Sequence, residues 1–174
     1  MSQLLSNDLI TLRALEPTDL DVLYQWENDT RLWVVSDTVS PYSREALWHY
    51  LQENTGDIYA QRQLRLIIAL THDGTPAGTV DFLNFDPLNN RAELGLFIAN
   101  GMRGRGLGRQ ALDLITTYAR EHLGLRQLYV FIAVDNPACL HLFEQYGYRR
   151  VGIIEAWVKR GTTYHDVVLM QMML

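Results

Sequence analysis

Apolar and polar residues alternate over residues 9–15, the period of a half-buried strand. Pro17 then opens a helical stretch. Asp19 and Asp21 fall in its first turn, where the helix dipole favours carboxylates, and Leu20, Leu23 and Tyr24 share one face. Ser43 caps a second short helix over residues 43–51. Residues 64–70 and 77–85 read as two strands joined by a hairpin turn at His72-Asp73-Gly74-Thr75-Pro76. The turn Asp86-Pro87-Leu88-Asn89-Asn90 leads into another strand at 92–98.

In the second half, Leu107, Ala111, Leu114, Ile115 and Tyr118 recur at helical spacing within 106–122, and Gly124 is the terminator. Residues 128–134 form an unbroken apolar run, the pattern of a strand buried on both faces. Asn136-Pro137 supplies a cap and a first-turn proline for a helix that Gly147 ends. Residues 148–158 and 164–172 read as a closing strand pair across Lys159-Arg160-Gly161-Thr162-Thr163. The expected class is α/β (α+β): a mixed, largely antiparallel central sheet of about six to seven strands with flanking helices. One parallel, right-handed β-α-β crossover is expected over residues 92–134. No repeat or linker interrupts the chain, so residues 1–174 are expected to form a single domain.

Composition narrows the function. A net charge of −5 argues against generic nucleic-acid binding, which draws its affinity from a basic face. No run reaches the roughly 18 apolar residues of a membrane helix. The stretch Met1-Ser2-Gln3-Leu4-Leu5-Ser6-Asn7-Asp8 lacks the charged lead and apolar core of a signal peptide. A single cysteine, Cys139, excludes an internal disulfide and fits a reducing compartment, so a cytoplasmic protein is expected. The five histidines have no metal-ligand spacing, and no metal site is expected.

The chemistry gathers between the strand ending at Ile98 and the helix after Gly106. The loop reads Asn100-Gly101-Met102-Arg103-Gly104-Arg105-Gly106-Leu107-Gly108. Glycines let successive backbone N–H groups approach an anion closely, and the helix start turns its partial positive charge to the same place. Arg103 and Arg105 can add charge-assisted contacts, so a pyrophosphate is the natural guest. A nucleotide P-loop needs Gly-Lys-Ser/Thr, which Gly108-Arg109-Gln110 does not supply. A dinucleotide fingerprint needs another glycine spacing after the chain's first strand.

The segment Arg103-Gly104-Arg105-Gly106-Leu107-Gly108 resembles the acyl-CoA motif of the GNAT superfamily of N-acetyltransferases. Ala92-Glu93-Leu94-Gly95-Leu96-Phe97-Ile98 is similar to that family's fourth strand. Val134-Asp135-Asn136-Pro137-Ala138 and Leu142-Phe143-Glu144-Gln145-Tyr146-Gly147-Tyr148 are similar to its fifth-strand exit and fourth helix. Tyr24-Gln25-Trp26-Glu27-Asn28-Asp29 and Gly161-Thr162-Thr163-Tyr164-His165-Asp166 resemble the branch of ribosomal-protein N-terminal and spermidine N-acetyltransferases.

The resemblance implies the GNAT fold and an enzyme that moves acetyl from acetyl-CoA to a primary amine. The acceptor is a small amine such as a polyamine, or a protein N-terminus. A non-catalytic acyl-CoA-binding module is the alternative, and self-association is implied by the family alone. Leu96, Phe97 and Ile98 are expected to offer backbone groups to pantetheine. Met102, Arg103, Gly104, Arg105, Gly106, Leu107 and Gly108 hold the pyrophosphate, and Asn136 meets the cofactor from the other side or simply caps its helix. An ammonium of pKa near 10.4 must lose a proton before attack, and Glu93 is the candidate base, acting through water, or else pairs with Arg91. Many relatives carry a tyrosine acid where this chain has Phe143. Tyr146 lies nearly one helical turn away and serves as acid or as a packed aromatic. Cys139 is read as a small buried thiol. Trp26, Trp33, Trp48 and Tyr42 are candidates for an acceptor wall. Asp37 is the one carboxylate of residues 33–41, with Glu27, Asp29 and Glu45 close in sequence.

Overall fold

A computed structural model describes residues 4–36 and 38–174, so Met1, Ser2, Gln3 and Asp37 lie outside the described residues. Seven strands share one sheet: β1 (Ile10–Arg13), β2 (Leu64–Leu70), β3 (Pro76–Asp86), β4 (Arg91–Ile98), β5 (Gln127–Ala133), β6 (Arg149–Arg160) and β7 (Thr163–Met173). Their spatial order is β1-β2-β3-β4-β5-β7-β6. Every neighbouring pair is antiparallel except β4 and β5, which run parallel. The link between them is α5 (Leu107–Glu121), the crossover that parallel strands require. The expected architecture is therefore present, with boundaries moved by a few residues.

Helix α5 buries the stripe Leu107, Ala111, Leu112, Ile115 and Ala119, residues three and four apart on one face. It rests on β1 and β4, with α6 (Pro137–Tyr146) beside it. Leu140 and Phe143 of α6 join Val80, Phe82, Leu94, Leu128 and Met170 of the sheet in the main core. Each such fully buried side chain contributes about 1.5–3 kcal/mol of transfer free energy. Asn136 caps α6 by accepting from the Cys139 N–H, and Gly147 ends it in the left-handed region at φ 114°.

The opposite face is covered near the first strands by α1 (Leu20–Glu27) and α3 (Arg44–Glu53), the latter capped by Ser43 as expected. Leu23 of α1 meets Ile67 and Ala69 of β2, with Trp26 and Leu51 at the margin. Asp19 does more than favour a helix dipole. It is 2% exposed and accepts two hydrogen bonds from the Arg13 guanidinium, at 2.7 and 2.8 Å, and one from the Glu16 N–H. The pair pins the entrance of α1 to β1. Burial pushes the Asp19 carboxyl up, but the Arg13 and Glu16 donors outweigh it and hold the carboxyl below its ordinary value.

Two short helices were not readable from periodicity: α2 (Thr30–Ser36) and α4 (Ile58–Gln61). Leu32-Trp33-Val34-Val35 is an apolar run too short to show a period, and α4 is barely one turn. That turn is held by local chemistry, since Asp57 accepts from the Tyr59 and Ala60 N–H groups and Arg62 ends it at φ 57°. The reading of β5 as buried on both faces is corrected. Leu128, Val130 and Ile132 are buried, whereas Phe131 is 38% exposed, because the helical layer packed on β2 leaves this face of β5 open. At the sheet's edge, β6 exposes Val151, Ile153 and Trp157.

Candidate active site

The parallel seam is short. Only Arg91–Gln127, Ala92–Leu128 and Glu93–Tyr129 pair, after which β4 and β5 part. β4 stays bonded to β3 as far as Ile98, and β5 to β7 as far as Ala133. The inner edges of residues 94–98 and 130–133 therefore face each other with N–H and C=O groups that no strand takes up, and buried backbone groups need partners. Leu96, Phe97 and Ile98 lie on this free edge. Their side chains divide between the faces: Leu96 and Ile98 pack into the α5 core, while Phe97 meets Trp26 edge-on, with ring centroids 5.3 Å apart. Gly78, which sequence reasoning passed over, backs this edge on β3. A Cβ there would run into the Phe97 carbonyl oxygen and press on Ile98 Cα.

The gap leads to the start of α5. Gly106 is the N-cap and has no side chain to satisfy the first N–H groups, so those of Leu107, Gly108 and Arg109 point outward unclaimed by the helix. Gly104 and Gly106 adopt φ 75° and 76°, with open space where a Cβ would go, so conformation and not room demands glycine. Gly108 differs: a Cβ there would stand 3.2 Å from Leu142 of α6, so this glycine lets the two helices close up. Arg103 donates to the Ile98 carbonyl at 3.0 Å and Arg105 to the Gly101 carbonyl at 3.1 Å. Both arginines are exposed, and these bonds brace the loop against the end of β4. Met102 turns its side chain to the core. Asn136 spends its carbonyl oxygen on the α6 cap, which leaves its amide N–H groups as the part able to meet a cofactor.

Glu93 sits at the vertex where the strands part. Its carboxylate accepts from the Asn84 amide at 2.7 Å, while Arg91 pairs with Asp86 instead. Burial and the Glu93 charge push the Tyr129 hydroxyl above its ordinary value. Glu93, Gly95 and Phe97 share one face of β4 by strand alternation. Tyr146 lies across the sheet, on the α5 side. Its hydroxyl donates to the Leu112 carbonyl at 3.1 Å, and Arg109 stands 5.9 Å from its ring centroid. Phe143 is buried edge-on against Tyr148. The fold thus does not bring Glu93 and Tyr146 together: Glu93 stands where β4 and β5 part, while Tyr146 packs between α5 and α6. Burial pushes the Cys139 thiol up to about 11, which keeps it protonated and inert near neutral pH.

On the Glu93 face, a cavity of about 470 Å³ opens between α1, α2 and the end of β4, with Trp26, Leu32, Phe97, Asn100 and Asp29 in its lining. Of the four aromatics proposed as a wall, only Trp26 lines it. Trp33 donates its indole N–H to the Glu27 carbonyl at 2.8 Å, and Trp48 and Tyr42 are solvent-exposed elsewhere on this layer. Asp29 is engaged by Arg31 at 2.6 Å. Beneath the wall lies a charged network that periodicity did not reveal. Arg65 of β2 donates to Asp81 of β3 and to Glu27 of α1, both at 2.7 Å. The signal was present: Asp81 interrupts an apolar strand, and a hairpin turning at 72–75 places residue 81 opposite 65. Among the described residues, no group of three or more His, Cys, Asp or Glu side chains could hold a metal ion. No helix there is long and apolar enough to cross a membrane.

A mixed sheet with one short parallel seam thus parts toward a glycine-built helix start. Residues 10–149 match the family model described as "Acetyltransferase (GNAT) domain". The chain belongs to the GNAT acetyltransferase family. It is 26% identical over 165 residues to a spermidine N(1)-acetyltransferase of Vibrio cholerae, covering 92% of this chain and 91% of that one. It is 23% identical over 166 residues to the ribosomal-protein-serine acetyltransferase of Escherichia coli, covering 94% and 92%. Its fold superposes with a TM-score of 0.86 on the crystal structure of spermidine N-acetyltransferase from V. cholerae in complex with CoA and spermine, at 24% identity over 96% of both chains. The protein is accordingly an N-acetyltransferase that takes acetyl from acetyl-CoA and gives it to an amine.

Proposed function

We propose that the acceptor is a primary amine, either a small amine such as a polyamine or a protein N-terminus, presented from the Trp26–Phe97 cavity. The observation that carries this reading is the gap between β4 and β5, whose β4 edge carries Phe97 into the cavity lining and leads on to the start of α5. Pantetheine lies in the gap against Leu96, Phe97 and Ile98. The pyrophosphate rests on the N–H groups that follow Gly106, with Met102, Arg103, Gly104, Arg105, Leu107 and Gly108 forming its loop and Asn136 facing it across β5.

The amine nitrogen attacks the thioester carbon, the C–S bond breaks, and the electron pair leaves on sulfur. Glu93 takes the amine proton through water, on the acceptor face. Tyr146 returns a proton to the thiolate from the other face, directly or through water, giving up its bond to Leu112. Holding amine and thioester together supplies much of the remaining rate. The names of the two relatives, one for spermidine and one for a ribosomal-protein serine, support a small amine and a protein acceptor, and the apolar floor of the cavity suits the methylene chain of a polyamine. A cytoplasmic location is supported by the single, half-buried, unreactive Cys139. Association between copies of the chain is supported by the exposed apolar residues of β6. The deciding experiment is a thiol-release screen with acetyl-CoA across polyamines and short peptides with free N-termini. Turnover with neither class would overturn the acceptor assignment.

A further inference from the structure

Helix α1 carries Trp26 and ends at Glu27, and that end is fixed by side chains drawn from two other elements, β2 and α2. The Glu27 carboxylate takes one arm of Arg65, and the Glu27 carbonyl takes the Trp33 indole. Arg65 uses its Nε on Asp81, and its guanidinium stands 5.8 Å from the Tyr50 ring centroid of α3. Asp81 is 7% exposed and leans across the sheet onto Gly95 of β4, where a Cβ would lie 3.4 Å from its carboxylate. A larger residue at 95 would push Asp81 off Arg65. Two carboxylates around one guanidinium form a fork that a planar, five-donor group can span and a lysine cannot. This network joins α1 and α3 to β2, β3 and β4, directly under the Trp26–Phe97 pair.

We infer that Arg65, clamped between Glu27 and Asp81, is a positioning residue for the acceptor, fixing the height of Trp26 over β4 and so the depth of the cavity. This rests on the reading that the cavity takes the acceptor. The cofactor is held by other elements, the β4–β5 gap and the start of α5, so the clamp should act on acceptor binding and leave acetyl-CoA alone.

Glu27→Gln keeps the shape of the clamp and removes one charged arm. Because the Glu27 side chain is partly exposed, the variant should fold. Arg65→Lys keeps the charge and loses the fork. Both are measured as full chains, by steady-state kinetics with acetyl-CoA and spermidine or an N-terminal serine peptide, by calorimetry with acetyl-CoA, and by the indole N–H resonances of Trp26 and Trp33. The expected result for each is an acceptor KM raised about tenfold, kcat lowered less, and acetyl-CoA affinity within about twofold of the parent. Both indole resonances should move. An unchanged acceptor KM and unmoved indole signals in folded Glu27→Gln would overturn the inference. Leu32→Trp, which fills the cavity without touching the clamp, tests the reading beneath it. If Leu32→Trp leaves the acceptor KM unchanged, the cavity assignment fails. If it raises KM while Glu27→Gln does not, only the clamp fails.

Discussion

The two sides of the β4–β5 gap are built by different means. On the proposed cofactor side it is the backbone that is arranged to bind. Gly104 and Gly106 sit in the left-handed region, Gly106 leaves the helix start uncapped, and the side chains of Arg103 and Arg105 serve mostly to brace the loop. On the acceptor side the side chains hold the surface. Helix α1 is tied at its entrance by Arg13–Asp19 and at its exit by Arg65–Glu27, and Trp26 stands between them. A site made of backbone tolerates few residues and writes itself as a contiguous motif. A site made of side-chain pairs can be assembled from positions 38 residues apart and leaves no local trace.

The sharpest way to break this comparison is Gly106→Asp. The substitution strains a φ of 76° and sets a carboxylate where phosphate charge must lie. Acetyl-CoA affinity should fall by about 100-fold or more by calorimetry, with the fold retained by circular dichroism. Unchanged affinity would move the pyrophosphate elsewhere.

Next come the two residues proposed to move protons. Tyr146→Phe deletes one hydroxyl and its bond to Leu112, so stability should drop by only about 1 kcal/mol. A kcat lowered about 100-fold with acetyl-CoA affinity intact is expected of a proton donor. A kcat at the parental level would leave Tyr146 a packing residue between α5 and α6. For Glu93→Gln, kcat should fall about tenfold or more near neutral pH and recover in part as pH rises and the acceptor becomes neutral without help. A loss that is flat across pH would point to the Asn84 hydrogen bond, and so to a structural role.

The smallest effect sharpens the acceptor side. Asp19→Asn should cost about 2 kcal/mol at pH 7, because it removes charge-assisted bonds to Arg13. The Asp19 carboxyl is held below its ordinary 3.8, so its contribution is fully present above that value and is lost as pH falls through the lower folded value. Urea midpoints of parent and variant should therefore differ at pH 7 and at pH 5, and converge only below about pH 3.8. A constant difference down to pH 3 would remove the ion pair as its cause.

Much of the second half was legible, and the reasons are local. The helical stripe from Leu107 to Tyr118, the Asn136-Pro137 cap and the Gly147 stop each act within a few residues. The first half resisted. The helix α2 hides in an apolar run and α4 depends on the single Asp57 cap. In the second half the exception is Phe131, whose exposure depends on how far a distant helical layer extends. Of the candidate site, the residues at the loop and along β4 were readable as a motif. Asp81, Gly78 and Gly95 matter through what lies across the sheet from them, and only strand register makes that visible.

The seam between β4 and β5 also has a mechanical meaning. Three residue pairs are all that stitch β1–β4 to β5–β7 within the sheet. A molecule lodged between the parted edges would act as a removable eighth strand, bridging two halves whose strands otherwise pair only as far as Glu93 and Tyr129. Donor binding and resistance to unfolding then become one linked quantity. At a free acetyl-CoA concentration one hundred times its Kd, the gain is about 2.7 kcal/mol. Amide exchange should report it most strongly along residues 94–98 and 130–133, the edges that have no strand to hold them in the free enzyme.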